Sequence, residues 1–385
     1  MRLVLTLFLF SLSSFAVLAT DVGDGSDGAC TAASFLVGKR SYQCTTLILN
    51  APVNVFKGAG GAGVVIKVQG FVNINGGGSI DVSGNNGADG SIGAIAAGGT
   101  GGPGGFSGGS STVTNGANGS GAGAGIGGNF SALGGGAISV GAGGGGGTYK
   151  VVSAVTALDG DSNGSSTTAG ANGATYGAEA NFDTSFLGGS GGGAGGTGID
   201  GATPDTWFGS GGGGGGGTLR IVSGGDITID GSLISNGGNG GGAGTEISSG
   251  GGGGASGGAI WLQSQSILTV NGTINAIGGT KGTNVQGFVG VGGGDIDAHG
   301  RIRLDDADGV ISGTGIVTPA PYSTTFTPTS ITSGTSAVSR QYASSITCAR
   351  VVMDENQLKN FVGNFCVGIL LVSFGVIVFA RANRI

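Results

Sequence analysis

The sequence predicts an all-β protein: a glycine-rich parallel β-helix, or solenoid, followed by one C-terminal transmembrane helix. Three observations predict it. An apolar strand pattern recurs every 41 to 42 residues, Asp-Gly or Asn-Gly corners separate the short strands, and the chain holds 95 glycines and only 6 prolines in 385 residues. About a quarter of the chain is therefore glycine, against an average near 7%. Collagen is excluded because no strict G-X-Y period rich in proline is present. Ordinary disorder pairs low hydropathy with high net charge. Here the mean hydropathy is +0.29 and charged residues make up 9%.

Residues 1–19 read as a secretory signal peptide. Arg2 supplies the charge, Leu3 onward the apolar run, and Val17-Leu18-Ala19 a small-residue cleavage site. Residues 20–57 are expected to cap one end of the solenoid. Cys30 and Cys44 lie close together there and are predicted to form a disulfide in an exported chain.

The repeat occupies an ectodomain spanning 58–317. Leu219-Arg-Ile-Val-Ser-Gly-Gly-Asp-Ile-Thr-Ile-Asp-Gly parallels Ile260-Trp-Leu-Gln-Ser-Gln-Ser-Ile-Leu-Thr-Val-Asn-Gly, and the start recurs at Ile302-Arg-Leu. An earlier copy begins at Ile66-Lys-Val, and Leu233, Ile274 and Ile80 mark a third short strand in each unit. Alternation with period two is the strand signature, and Asp-Gly or Asn-Gly makes a tight corner. Three strands per unit, stacked unit on unit, describe a β-helix. Two other arrangements compete: a propeller, whose blades have a similar repeat length, and packed extended polyglycine rods. The rods are suggested by tracts such as 141–147, 191–196 and 211–217, which bury almost no side chain. Regular coils are expected to be interrupted between about 88 and 217.

The Thr/Ser/Pro-rich stretch 318–360 is expected to be a second cap or a stalk. Residues 361–380 carry no charge, long enough as a helix for a hydrocarbon core of roughly 30 Å. Arg381 and Arg384 then place a short tail, 381–385, in the cytoplasm. The formal net charge of −6 argues against nucleic acid as a partner.

Three constellations carry candidate chemistry. Aligned repeats set Lys67, Arg220, Trp261 and Arg303 in one outward column, a strip suited to glycans or anionic groups. Asp159, Asp161 and Asn163 open a D-x-D-x-N-G calcium loop, although the expected acid at loop position twelve is Gly170; otherwise no cofactor is expected. Asp297-Ala-His-Gly-Arg-Ile-Arg and Asp305-Asp306 contain fragments similar to polygalacturonase motifs, but they fall within ten residues, where that family needs them on separate coils. His299 is the sole histidine, no serine has a nucleophile elbow, and no spacing selects a carboxylate pair. The chain therefore reads as non-enzymatic, with a polysaccharide-acting enzyme as the weaker alternative.

Blocks GGASGGAIWLQ, ILTVNGTINAIGG and GRIRLDD…ISGTGIVTPAPY resemble the glycine-rich secreted surface proteins of bacteria. That resemblance implies an exported β-helix-like surface protein, with the membrane, glycans or other surface proteins as partners. Separately, the order of signal peptide, glycine-rich ectodomain and terminal helix with a basic tail is similar to filamentous-phage attachment proteins, which implies a host-attachment role as the alternative. The expected function is a membrane-anchored structural or adhesion protein with its ectodomain outside the cytoplasm.

Overall fold

The computed structural model describes residues 21–130, 141–149, 155–162, 165–177, 186–199, 206–243, 249–283, 292–293, 298–325, 368–372 and 375–379. The signal peptide and most of the expected stalk, including Cys348, lie outside them. The chain divides into two compact units, 1–332 and 333–385.

In the first unit three parallel sheets stack coil upon coil. One contains Ser41–Cys44, Val64–Val68, Thr218–Ser223, Ala259–Ser264, Arg301–Asp306 and Tyr322–Thr325, in that order. A second contains Ala29–Cys30, Thr46–Leu49, Val72–Ile74, Ile227–Ile229 and Leu268–Val270; the third contains Pro52–Val53, Ser79–Asp81, Ser232–Ile234, Thr273–Asn275 and Ile316–Thr318. All neighbours in these sheets pair in parallel, which excludes the propeller, whose blades are antiparallel. Each strand turns alternate aliphatic residues inward. Leu219, Ile221, Ile227, Ile229 and Leu233 from one coil meet Ile260, Leu262, Leu268, Val270 and Ile274 from the next in one buried core.

The repeat offsets of 41 and 42 are the true registers, since Leu219 faces Ile260 and Ile260 faces Ile302. The earlier copy is displaced. Val64, not Ile66, pairs with Leu219, so Lys67 lies beside Val222 and Val65 beside Arg220. The reason is geometric: a period-two pattern matches itself after a slip of two, and only the corner, where Val72 meets Ile227, fixes the register. The segment expected as a cap also begins the coils early, because Ser41–Val53 already forms the first coil. Of the expected cap, residues 21–40 precede that coil. They are clipped to it by the Cys30–Cys44 disulfide, with Cα atoms 5.6 Å apart, and by Phe35 packed on Tyr42 and Phe56.

The second and third coils are far apart in sequence, yet Val64–Val68 and Thr218–Ser223 pair directly. Glycine-rich segments described within this insertion, joined by 235–243, 249–258 and 276–283 from the same corner, form an array of extended polyglycine rods. Rod 209–217 shows the pattern. Gly211, Gly214 and Gly217 donate to the carbonyls of Ala88, Asn85 and Val82. Gly212, Gly215 and Thr218 donate to Gly109, Phe106 and Pro103, and Ser210, Gly213 and Gly216 to Gly250, Gly253 and Ser256, all at 2.6–3.0 Å. Donors that rotate through three neighbours every three residues mark a three-residue-per-turn extended helix. The rod's carbonyls meanwhile accept from 99–102, 189–195 and 238–241. It therefore has six neighbouring segments, as do rods 188–197 and 249–258. Glycine is compulsory here because a Cβ on Gly213 or Gly215 would fall within 3.0 Å of a carbonyl of the next rod.

In the second unit Gly368–Val372 pairs antiparallel with Gly375–Phe379, within the run where the sequence predicts a membrane helix. Among the described residues no helix is long and apolar enough to cross a membrane. The β-branched residues Ile369, Val372, Val376, Ile377 and Val378 supply the strand preference that a hydropathy count overlooks.

Candidate functional site

The outward face of the first sheet carries the predicted column, with one change of membership. Register places Ser41, Val65, Arg220, Trp261, Arg303 and Tyr322 side by side. Lys67 belongs to the adjacent column, with Gln43, Val222, Gln263 and Asp305, and its ammonium pairs with the Asp21 carboxylate of the cap. That hydrogen bond, more than any other cause, holds the Asp21 pKa below the usual carboxylate range.

The column is also covered. Trp261 is only 6% exposed. Arg220 lies over one side of its ring, 4.2 Å from the centroid, and Arg303 stacks at 4.8 Å. Phe186, from the glycine excursion, packs edge-on with centroids 6.0 Å apart. Trp261 Nε1–H donates to Asp305 Oδ2 at 2.8 Å and Arg303 Nε–H to Oδ1 at 2.9 Å, while Arg220 donates to Gln263 Oε1. Nearby, buried Arg301 donates to the Tyr149 hydroxyl, which itself donates to the Leu187 carbonyl. Burial raises the Tyr149 and Tyr176 pKa values, so both hydroxyls remain protonated donors. These contacts make the face a clamp between sheet and rod array. The expectation of an open strip misses this because covering residues such as Phe186 lie far away in sequence.

Asp305 and Asp306 are both buried. Asp306 Oδ2 accepts the Leu268 N–H at 2.7 Å, so both carboxylates hold the coil together. At the calcium sequence, Gly160–Ser162 pairs antiparallel with Ser165–Thr167, and Asp159 Oδ1 accepts the Ala169 N–H. Asn163 and the side chain of Asp161 lie outside the described residues. Among the described residues no cluster of three acidic, His or Cys side chains is placed to hold a metal.

An arrangement that sequence reasoning missed lies on the array. Rods 82–90, 235–243 and 276–283 form one layer, joined by backbone bonds from Gly84, Gly87 and Gly90 to Asn236, Asn239 and Gly242, and from Gly237, Gly240 and Ala243 to Ile277, Thr280 and Thr283. Side chains at every third position bond back. Ser83 Oγ, Asn86 Oδ1 and Asp89 Oδ1 accept from the N–H groups of Asn236, Asn239 and Gly242 at 3.0, 2.9 and 2.8 Å. Asn236 Oδ1 and Asn239 Oδ1 accept from Ile277 and Thr280 at 3.0 and 2.9 Å. Comparison with protein families, curated proteins and solved structures gives no match. The surface formed by this layer is a shallow polar groove, lined by Asn86, Asp89, Asn239, Thr280, Lys281 and Thr283 with glycines between them. The side chains of its described lining offer hydrogen-bond donors and acceptors, one carboxylate and one ammonium.

Proposed function

We propose that the chain is a non-enzymatic exported surface protein, in which the β-helix carries the glycine-rod array as a stiff scaffold for adhesion or spacing and the apolar run 361–380 tethers it to a membrane. The observation that carries this reading is the array itself. Three rods, each enclosed by six neighbours, invest the chain's conformational entropy in a rigid body whose polar groups are almost all backbone. Such a body suits display and spacing better than chemistry. The Cys30–Cys44 bridge supports an oxidising compartment, and residues 1–19 and 361–380 supply the export and anchoring signals.

Expression of the full chain in a bacterial host, with membrane fractionation and protease treatment of intact spheroplasts, tests the proposal. The expected result is a membrane-associated chain whose 21–325 region is accessible from outside. A chain recovered wholly in the cytoplasmic fraction would overturn it.

A further inference from the structure

We propose that the groove on the layer of rods 82–90, 235–243 and 276–283 binds an extended, neutral polysaccharide; this rests on the surface-adhesin reading and names its ligand class. Asn86, Asn239 and Thr280 are exposed and stand in one row across three rods. In the two asparagines, Oδ1 is held by a backbone N–H of the following rod. That bond settles which end of the amide is which and aims Nδ2 out of the layer. Neither Nδ2 has a protein partner among the described residues. The groove therefore presents two pre-oriented NH2 donors, with the Thr280 and Thr283 hydroxyls, the Asp89 carboxylate and the Lys281 ammonium around them.

Three features select a sugar chain. The floor is glycine, so a ligand can lie against the backbone without displacing side chains. Positions repeat every three residues, about 9 Å along an extended rod, a spacing on the scale of two sugar rings. The donors, acceptors and single charges of each sign match hydroxyls and ring oxygens rather than a polyanion, and the chain's net charge of −6 opposes nucleic acid. A protein partner would need a buried aromatic or aliphatic anchor, and the groove offers none. Because the amides are already fixed, little side-chain entropy is lost on binding.

The test is affinity electrophoresis of the full chain in detergent, through gels containing a glucan, a mannan or a galactan. Asn86→Asp with Asn239→Asp retains the oxygen that accepts the rod N–H and removes the outward donors. Lys281→Ala is the second variant, with no ion pair to lose among the described residues. The expected result is retardation of the unaltered chain by at least one of the three polysaccharides. Apparent affinity should fall about tenfold in the double variant and by a smaller factor in Lys281→Ala, with the thermal midpoint of both unchanged. An unaltered chain that no gel retards overturns the proposal, and if it still reaches the membrane surface the scaffold reading stands without it. Equal retardation of the double variant also overturns it, and moves any glycan binding to another face.

Discussion

Gly213→Ala probes the rod array most directly. Gly213 lies in rod 209–217; its N–H donates to Gly253 at 2.9 Å, its carbonyl accepts from Gly192 at 3.0 Å, and a Cβ would meet the Gly238 carbonyl. The neighbouring bond from Gly238 N–H to Gly214 O, at 2.8 Å, has to lengthen to make room. Three buried backbone bonds are thus strained, each worth about 0.5–1.5 kcal/mol net and more when a group is left unpaired. Against this, alanine restricts the unfolded chain and returns about 0.4–1 kcal/mol. The net cost is roughly 2 kcal/mol, and at about 2–4 °C per kcal/mol the thermal midpoint falls by roughly 4–8 °C. Gly76→Ala is the control, because a Cβ there meets nothing within 4 Å. Thermal unfolding followed by circular dichroism compares the two. If Gly213→Ala melts with Gly76→Ala, close packing is not what requires glycine in the tracts.

Three further outcomes follow from the cap and the clamp. Asp305→Ala removes a carboxylate that binds both Trp261 and Arg303, and should destabilise by about 3 kcal/mol in a urea titration, since it breaks a largely buried ion pair; a shift under about 0.5 kcal/mol would show the clamp to be idle. Lys67, Ser26 and Lys39 lower the pKa values of Asp21, Asp24 and Asp27 in the folded cap. A folded pKa below the unfolded one gives stability that is present above the unfolded value and lost as pH falls through the folded one, so the protection of amides at 21–40 should fall relative to that of the core as pH drops below about 4, and a relative gain in protection there would reverse the sign. Reduction of Cys30–Cys44, or Cys30→Ser with Cys44→Ser, opens a link across a sequence separation of 14 and should lower stability by about 3 kcal/mol, read as an earlier urea midpoint without loss of coil structure.

The coils were legible in the sequence because their inward aliphatics repeat with their corners: Leu233, Ile274 and Ile80 are paired as the pattern implies. Lys67 was misplaced because alternation alone tolerates a slip of two. The array was harder to read, since a rod's partners are backbone groups and glycine carries no mark of which neighbour it will meet. One mark does exist. Ser83, Asn86 and Asp89, then Asn236 and Asn239, recur every third residue, the period of an extended rod, and their oxygens close its open edge. The burial of Trp261 left no such trace, because Phe186 reaches it through tertiary folding alone.

Because the rods cohere through peptide groups with little hydrocarbon between them, melting the array would hydrate mainly amides. Hydration of polar surface lowers the heat capacity of unfolding, whereas hydration of apolar surface raises it. The aliphatic solenoid should therefore weaken on cooling in the usual way, while the array keeps a flatter temperature profile. Near freezing, the glycine lattice becomes the part that resists loosening, and the coils it grows from become the softer partner.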